Sequence, residues 1–237
     1  MTEDKTSHPV FADDNPINFS MVLASAVHDM KNSLGMLLHS LDGLRDEHQD
    51  TLSGSARFNT LQYEAERLHS DLVQLLGIYR LDEKTLSAHS EEHFVPDFLS
   101  QHLSRYRPLL EGHEVNYRIE ADDIQGFFDE DLLTGVLNNT INNAIRYTKS
   151  QILITASQRE QYLVIGVEDD GDGYPEQMRR ADTLSFKSLN FDTGSTSLGL
   201  FFASSVAHLH QDGSRRGFIK LHNEGKLGGG VFEIWLP

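Results

Sequence analysis

Apolar residues in the first third of the chain recur at alternating spacings of four and three. In the first stretch, they are Leu23, Val27, Met30, Leu34, Leu37, Leu41 and Leu44. In the second stretch, they are Phe58, Leu61, Ala65, Leu68, Leu72, Leu75 and Tyr79. This alternation is the heptad pattern of packed helices, and the polar segment 45–57 between the stretches is typical of a loop. The pattern predicts two helices that form an antiparallel hairpin.

A single hairpin of this kind would leave much of its apolar stripe in contact with water. Two hairpins paired into a four-helix bundle would bury that stripe. We therefore expect residues 18–85 to be a dimerisation hairpin and the protein to be a homodimer. Residues 1–17 show no such pattern and are expected to be a flexible N-terminal segment.

The hydrophobic pattern changes from about residue 91 onward. Short alternating or apolar stretches predict strands at 114–120, 151–156, 162–168, 218–222 and 231–236. Longer stretches predict helices at 129–148 and 198–210, and the segment 171–194, rich in Gly, Asp, Ser and Thr, predicts a mobile loop. We expect residues 91–237 to form an α/β sandwich with helices on one face of a mixed sheet, which makes the chain α+β.

Composition excludes several classes of function. The formal net charge of -16 argues against nucleic acid as a partner, because binding to phosphates requires a basic surface. The absence of cysteine excludes disulfides, thiolate zinc sites and cysteine nucleophiles. The sequence has no long apolar run and no signal-peptide pattern at its start, so we expect a cytoplasmic protein without a membrane span.

A candidate nucleophile lies in the first predicted helix, within His28-Asp29-Met30-Lys31-Asn32. His28 is next to the seam residue Val27 and is expected to face solvent, and Asn32 shares its face. Asp29 can accept a hydrogen bond from one nitrogen of a neutral imidazole, which leaves the other nitrogen free to attack phosphorus. Asn32 could orient a water for hydrolysis. Ordinary surface residues are the alternative explanation for this trio.

The helix at 129–148 carries residue types suited to nucleotide phosphates. Asn139 and Asn143 are four residues apart on one face, and their carbonyl oxygens suit a magnesium ion that bridges phosphates. Arg146 lies one turn beyond Asn143 and could reach phosphate oxygens. The alternative is an ordinary polar helix face, although asparagine is a mediocre helix former.

Two later segments also suit a nucleotide. In Asp169-Asp170-Gly171-Asp172-Gly173, a carboxylate at a strand end can accept a hydrogen bond from adenine, and the glycines allow close backbone approach; a plain turn is the alternative. A calcium loop is disfavoured because the downstream Glu of an EF-hand is missing. Segment 194–200 opens a helix, where backbone amides bind phosphate or where Ser and Thr act simply as caps.

In order and spacing, these motifs resemble those of the sensor histidine kinases of two-component systems. His28-Asp29-x-x-Asn32 is similar to the family's phospho-acceptor box, and 139–148 is similar to its asparagine box. Asp169-x-Gly171-x-Gly173 matches the first glycine box, and 195–200 is similar to the second. The resemblance covers nearly the whole chain from about Asn18. It implies a dimeric four-helix bundle for histidine phosphotransfer, followed by a Bergerat-type ATP-binding domain.

The resemblance also implies individual roles, with ATP and Mg²⁺ as cofactors. His28 would be the phosphate acceptor, Asp29 the general base and Asn32 the residue that supports a phosphatase reaction. Asn143 would be the magnesium ligand, with Asn139 nearby. The remaining implied nucleotide-binding residues are Arg146 and Tyr147, Asp169 as the adenine acceptor, Gly171 and Gly173, Lys187 in a lid spanning 172–196, and Thr196, Leu198 and Gly199.

The implied function is ATP-dependent autophosphorylation of His28, followed by transfer to the receiver domain of a response regulator and dephosphorylation of that regulator. An upstream sensor protein would be a further partner. Ser195 and Ser197 stand where the family usually has glycine, which favours a stiffer lid and a weaker ATP site. The family's proline after the histidine is absent, and Leu34 continues the seam there, so we expect a less kinked helix. The alternatives are a histidine phosphotransfer or phosphatase module, and a Bergerat-fold kinase or switch acting on Ser or Thr.

Overall fold

The computed structural model describes residues 19–48, 55–83, 86–179 and 195–237. It begins with two long helices, α1 (Phe19–Glu47) and α2 (Ala56–Asp82). Asp42 of α1 accepts a hydrogen bond from Gln62 of α2, and the Gly35 backbone of α1 lies near His69 of α2. The earlier residue of α1 thus faces the later residue of α2. The two helices therefore form an antiparallel hairpin.

The boundaries of the hairpin differ slightly from the predicted ones. Helix α1 continues past the predicted end at residue 45 as far as Glu47 and runs without interruption through Leu34. Helix α2 begins after Ser55, whose hydroxyl oxygen accepts a hydrogen bond from the Phe58 amide at 3.4 Å and so caps the helix. Residues 49–54 of the predicted loop, and all of the predicted N-terminal segment 1–17, lie outside the described residues.

Only one row of the heptad seam is buried within the hairpin. Val27, Leu41 and Ala65 are less than 8% exposed. Five seam residues of the other row are 45–54% exposed, and they are Met30, Leu37, Leu44, Leu61 and Leu68; Leu75 of the same row is half-buried. The hairpin in this chain therefore carries an apolar stripe that its own two helices do not cover.

The remainder of the described chain alternates helices and strands. The elements are β1 (Glu91–Phe94), α3 (Val95–Ser104), α4 (Arg107–Gly112), β2 (Asn116–Ala121), β3 (Gln125–Phe128), α5 (Glu130–Tyr147), β4 (Gln151–Arg159), β5 (Tyr162–Asp169), α6 (Glu176–Arg179), α7 (Ser195–Leu209), β6 (Gln211–Asp212), β7 (Arg215–Arg216), β8 (Phe218–His222) and β9 (Val231–Leu236). The predicted strands and helices of this part are present, some with shifted ends.

Five of these strands form the central sheet, in the order β2-β4-β5-β9-β8. Strands β2 and β4 are parallel and the other neighbours are antiparallel, so the sheet is mixed. Helices α3, α5 and α7 contribute to one apolar core with the sheet, in which Leu133, Ile141, Ile165 and Ile234 are almost fully buried. Burial of each such side chain contributes about 1.5–3 kcal/mol. The predicted α+β fold class is confirmed.

Asp129 fixes the start of α5, the helix that carries the asparagines. Its Oδ1 accepts a hydrogen bond from the Leu132 amide at 2.9 Å and its Oδ2 accepts one from the His89 amide at 2.8 Å. Its own amide donates to His210 Nε2 at 2.9 Å, while His210 Nδ1 lies 2.8 Å from the Val206 carbonyl. Because Nε2 accepts, the ring donates through Nδ1. This network ties the N-terminal end of α5 to the C-terminal end of α7.

The hairpin packs against the α/β part through α2, which contacts α5 and α7. The Phe202 ring of α7 lies in a notch between Gly77 of α2 and Gly135 of α5. A Cβ atom at Gly77 would be 2.5 Å from Phe202 Cε2, and one at Gly135 would be 3.2 Å from Cε1. The notch thus depends on glycine at residue 77. Across the described ranges, no helix is long and apolar enough to cross a membrane.

Candidate functional site

A pocket of about 470 Å³ opens where β5 ends beside the C-terminal part of α5. Its walls come from α5, the end of β5, the turn that follows, α6 and the residue before β9. The lining residues are Asn143, Ala144, Tyr147, Asp169, Asp172, Gly173, Tyr174, Pro175, Met178 and Gly230. This size and this mixture of apolar and polar groups suit a small organic ligand.

Asp169 is the buried acidic residue of the pocket. Its Oδ1 accepts hydrogen bonds from the amides of Gly171 (2.7 Å) and Gly230 (3.2 Å), and its own amide donates to the Gly230 carbonyl at 3.0 Å. Burial raises the pKa of the Asp169 carboxyl above its usual value, although the two amide bonds oppose the shift. The carboxyl is thus held rigidly, and Oδ2 is the oxygen that these two amides do not use.

Two glycines of the turn after β5 are required by the geometry. A Cβ atom at Gly171 would lie 2.3 Å from the Tyr147 carbonyl oxygen, so only glycine allows this approach of the turn to α5. Gly173 has a φ of +79°, a conformation that other residues rarely adopt. The glycines therefore hold the turn closely against α5 beside Asp169.

The asparagine face of α5 contributes a pair of linked amides. Asn143 Nδ2 donates to Asn139 Oδ1 at 3.1 Å, a bond that does not involve the carbonyl oxygen of Asn143. Asn143 lines the pocket, whereas Asn139 is buried behind it against Gly199 of α7. A side-chain carbonyl oxygen at the pocket fits a magnesium ion that takes its other ligands from phosphates and water. Elsewhere in the described chain, no cluster of three His, Cys, Asp or Glu side chains could hold a metal.

The hairpin carries the second group of predicted site residues. The His28 and Asp29 side chains are 51% and 77% exposed, and His28 Nδ1 lies 3.5 Å from Asp29 Oδ1. Asn32 Nδ2 lies 3.4 Å from the same Nδ1. Both neighbours thus approach one ring nitrogen, and Nε2 is the nitrogen that neither of them contacts.

Residues 128–237 match the protein family described as histidine kinase-, DNA gyrase B- and HSP90-like ATPase. The sensor histidine kinase RppB of Synechocystis is 26% identical over 224 residues, which cover 90% of this chain and 48% of RppB. The sensor histidine kinase WalK of Bacillus subtilis is 27% identical over 202 residues, which cover 79% of this chain and 32% of WalK. Residues 128–237 therefore match an ATPase domain of this kind, and the chain as a whole resembles sensor histidine kinases.

Two solved structures share the fold. The Acinetobacter baumannii histidine kinase AdeS aligns with a TM-score of 0.56 at 18% identity, over 88% of this chain and 96% of that one. Full-length ShkA in complex with AMPPNP aligns with a TM-score of 0.61 at 20% identity, over 92% of this chain and 46% of that one. This chain thus spans about half or less of the length of RppB, WalK and ShkA.

The pocket brings together Asn143, Tyr147, Asp169 and Gly173, with Gly171 hydrogen-bonded to Asp169. Arg146 lies outside it, in a narrow crevice that also contains Tyr63 and Arg67 of α2, and its guanidinium is 5.5 Å from the centroid of the Tyr147 ring. The structure therefore separates Arg146 from the pocket lining.

The predicted residues of the lid and of the second glycine box have different positions. Lys187 lies outside the described residues. Thr196 lies in the first turn of α7, Leu198 is half-buried against the core, and Gly199 packs on Asn139. Neither Leu198 nor Gly199 is among the residues that line the pocket.

Several pocket residues were missed from the sequence. Tyr174, Pro175 and Met178 form part of the wall beyond the glycine turn, and burial, with Asp169 nearby, raises the pKa of the Tyr174 hydroxyl. Asn223 holds this wall: its Oδ1 accepts from the Tyr174 amide at 2.8 Å and its Nδ2 donates to the Tyr174 carbonyl at 3.0 Å. Gly230, the residue before β9, was also not predicted to line the pocket. The sequence feature that could have indicated a role for Tyr174 in the pocket is its aromatic ring directly after the glycine box.

Asp170, next to Asp169, has a different role. Its Oδ1 accepts from the Thr148 hydroxyl at 2.5 Å and from the amides of Lys149 and Ser150 at 2.7 and 2.9 Å. It therefore anchors the end of β5 to the turn after α5, and only Asp169 of the pair lines the pocket.

Proposed function

We propose that this chain is a sensor histidine kinase that uses ATP and Mg²⁺ to phosphorylate His28 and then passes the phosphoryl group to an aspartate of a response-regulator receiver domain. The observation that carries the proposal is the pocket in which a rigidly held Asp169 and the amide of Asn143 lie together. The second support is His28, whose Nδ1 faces Asp29 and whose Nε2 is left for reaction.

Within the pocket, Asp169 is suited to adenine. Its Oδ2 can accept a hydrogen bond from the exocyclic amino group while Oδ1 stays bonded to Gly171 and Gly230. Tyr147, Tyr174 and Met178 supply apolar walls for the base. ShkA, a protein of similar fold, was solved in complex with the nucleotide analogue AMPPNP.

Asn143 would hold the magnesium ion through its carbonyl oxygen. Bound Mg²⁺ neutralises charge on the phosphates during transfer. The hydrogen bond from Asn143 Nδ2 to Asn139 orients the amide so that its oxygen is the atom available to a ligand. Asn139 then acts as a positioning residue.

In the transfer step, the lone pair of His28 Nε2 forms a bond to the γ-phosphorus, and the bond from that phosphorus to the bridging oxygen breaks to release ADP. Asp29 accepts a hydrogen bond from Nδ1–H, which keeps the lone pair on Nε2 and stabilises the positive charge that develops on the ring. In the second step, the N–P bond breaks as the phosphoryl group passes to a carboxylate oxygen of the receiver aspartate.

Asn32 opposes Asp29 at the same nitrogen. When Nδ1 accepts a hydrogen bond from Asn32 Nδ2, the neutral ring carries its proton on Nε2 and cannot attack. Asp29 therefore favours phosphorylation, whereas Asn32 favours an unreactive ring and is free to orient water for dephosphorylation of the receiver. We expect Asn32→Ala to retain autophosphorylation and to lose phosphatase activity.

The uncovered apolar stripe supports a homodimer. Met30, Leu37 and Leu68, among others, are about half exposed in a single chain, and a second hairpin would bury them in a four-helix bundle. Light scattering should give twice the chain mass. A monomeric mass at micromolar concentration would contradict the dimer without affecting the assignment of the nucleotide pocket.

The test of the kinase is incubation with γ-labelled ATP and Mg²⁺. The expected product is an acid-labile label that disappears in His28→Ala and persists in the matched control His39→Ala, since His39 is an exposed histidine of the same helix. Asp169→Asn should lose labelling together with ATP binding. Equal labelling of His28→Ala, or a label stable to acid, would contradict histidine phosphorylation and favour transfer to Ser or Thr.

A histidine phosphotransfer or phosphatase module with a weakened ATP site is the second candidate. Ser195 and Ser197, in place of the usual glycines of the second box, favour it. Failure to bind ATP at millimolar concentration, combined with dephosphorylation of a phosphorylated receiver domain, would establish this candidate in place of the kinase.

A further inference from the structure

The loop between β8 and β9, residues 223–230, reaches the nucleotide pocket at both of its ends. At the start of the loop, Asn223 makes its two hydrogen bonds to the Tyr174 backbone. At the end of the loop, the Gly230 amide donates to Asp169 Oδ1 at 3.2 Å, and the Gly230 carbonyl accepts from the Asp169 amide at 3.0 Å. The position of the β8–β9 loop therefore decides where two parts of the pocket wall lie.

The end of the loop packs closely against the turn that follows β5. A Cβ atom at Gly229 would lie 2.4 Å from the Asp169 carbonyl oxygen and 2.5 Å from the Gly171 nitrogen. A Cβ atom at Gly230 would lie 3.0 Å from Asp169 Oδ2 and 3.0 Å from the Tyr174 ring. Asp169 Oδ2 is the oxygen assigned to adenine, so a displacement of the loop changes the surroundings of the atom that recognises the base.

Glu168 holds the middle of the loop from outside the pocket. Val167 belongs to the apolar core that the sheet shares with the helices, so the side chain of Glu168, the next residue of β5, lies on the opposite face of the sheet. Glu168 is 6% exposed, and its Oε1 accepts a hydrogen bond from the Leu227 amide. A Cβ atom at Gly225 would lie 2.3 Å from the same oxygen, so glycine is required for this approach.

The contact with Glu168 is the stronger of two contacts that hold the loop on the sheet. The second is an ion pair from Lys226 to Glu120 of β2. These two side chains are 65% and 41% exposed, and water weakens such surface pairs. The Glu168 carboxylate is buried, where a charge-assisted hydrogen bond is stronger and where loss of the bond is costly.

We propose that Glu168 is a positioning residue for base recognition in the nucleotide pocket. It holds the β8–β9 loop, and Gly230 of the loop holds Asp169 so that Oδ2 meets the exocyclic amino group of the purine. Asn143 is oriented by Asn139 of its own helix, so contacts to the phosphates do not depend on the loop. The identity of the base rests on the proposed function, whereas the contact between Glu168 and the loop does not.

Calorimetry with ATP and with purine riboside triphosphate, which is ATP without the exocyclic amino group, measures this selectivity. We expect the wild type to bind ATP at least about tenfold more tightly, because the analogue leaves Asp169 without its donor. Glu168→Ala should weaken ATP binding about tenfold and binding of the analogue much less. Glu168→Gln keeps an acceptor of the same size and should recover most of the selectivity.

Glu233 provides the matched control. It lies on the same face of the sheet, is also 6% exposed, and accepts hydrogen bonds from Arg159 and Trp235, neither of which belongs to the loop. Glu233→Ala should lower the melting temperature and leave the ratio of the two affinities unchanged. Gly225→Ala tests the contact from the loop side, because its methyl group must displace Glu168, and it should lower the ratio as well.

Hydrogen exchange of the free protein tests the contact without any nucleotide. The amides of Asp169, Tyr174 and Gly230 are hydrogen-bonded between the loop and the pocket wall. In Glu168→Ala these three amides should exchange at least about tenfold faster, because the loop opens locally. The Gly217 amide, which is hydrogen-bonded outside the loop, should exchange as it does in the wild type.

Two results would overturn the proposal. One is a ratio of ATP to analogue affinity that is the same in Glu168→Ala, Glu233→Ala and the wild type. The other is unchanged exchange of the Tyr174 and Gly230 amides in Glu168→Ala. If these amides exchange faster but the wild type binds neither nucleotide, the contact between Glu168 and the loop stands and the proposed function fails.

Discussion

Gly199 lies directly against the side-chain amide of Asn139, so that a Cβ atom on residue 199 would be 2.2 Å from Asn139 Oδ1. This contact joins the start of α7, which contains the second glycine box, to the asparagine face of α5. It gives a physical reason for glycine at residue 199. Asn139 in turn accepts the hydrogen bond that orients Asn143.

Substitution of Gly199 by Ala should therefore disturb the magnesium site without touching the pocket lining. The methyl group must displace the Asn139 amide, and overpacking of this kind costs about 1–3 kcal/mol in the free energy of unfolding. We expect weaker Mg²⁺-dependent ATP binding, measured by calorimetry with and without the metal. Gly43→Ala is the matched control, because a Cβ atom there meets nothing within 4 Å. Equal ATP affinity for the two variants would show that Asn139 does not orient Asn143.

Removal of the Asn223 side chain should loosen the wall of the pocket. Asn223 makes two hydrogen bonds to the backbone of Tyr174. Gly173, the residue before Tyr174, has a left-handed backbone conformation. We expect Asn223→Ala to weaken ATP binding about tenfold and to lower unfolding free energy by about 1–3 kcal/mol. Asn116→Ala, at an exposed residue of β2, serves as the control. A lower stability with unchanged ATP affinity would show that the turn is structural only.

The Asp170 carboxylate should make stability depend on pH in the acid range. Burial alone would raise its pKa, but hydrogen bonds from Thr148 and Ser150 bring the pKa below the usual value of 3.8. A lowered folded-state pKa means that the carboxylate stabilises the fold above about pH 3.8, and that this contribution is lost as the pH falls from there towards the folded-state pKa.

Asp170→Asn should accordingly lose about 1.5–3 kcal/mol of unfolding free energy near pH 7 and less near pH 3. Urea unfolding at the two pH values measures the difference, with Asp123→Asn, at an exposed turn residue, as the control. An equal loss at both pH values would mean that the carboxylate charge contributes nothing.

Glu66 should have the opposite effect. Burial, followed by the nearby Asp42, raises the pKa of its carboxyl from 4.5 to about 7, against the opposing effects of Arg45 and Gln62. Stability associated with the neutral carboxyl is fully present below about pH 4.5 and is lost as the pH rises through about 7. Glu66→Gln should therefore melt above the wild type near pH 8 and close to it near pH 4.5. Glu92→Gln, on exposed β1, should show no such crossover, and a wild type more stable at pH 8 would contradict the shift.

Local pattern was sufficient for much of the fold. Strands β8 and β9 occupy the residues predicted from alternation alone, and α5 begins after Asp129, an acidic cap that the sequence places there. By contrast, β1, β3, α3 and α4 were not predicted. Strand β1 pairs only with β3 among the described strands, about thirty residues further along, and a four-residue strand has too short a pattern to predict without its partner.

The sequence by itself determined the heptad seam, the alternation of helices and strands, and the order of the motifs, because each of these depends on residues close together in the chain. Only the tertiary structure decided which of the two aspartates, Asp169 or Asp170, faces the pocket. Asp169 is held there by a hydrogen bond from the amide of Gly230, which is sixty-one residues away in the chain. It also decided that Phe202 of α7 fills the notch at Gly77 of α2. Such contacts follow from how surfaces of whole elements pack, which no local period specifies.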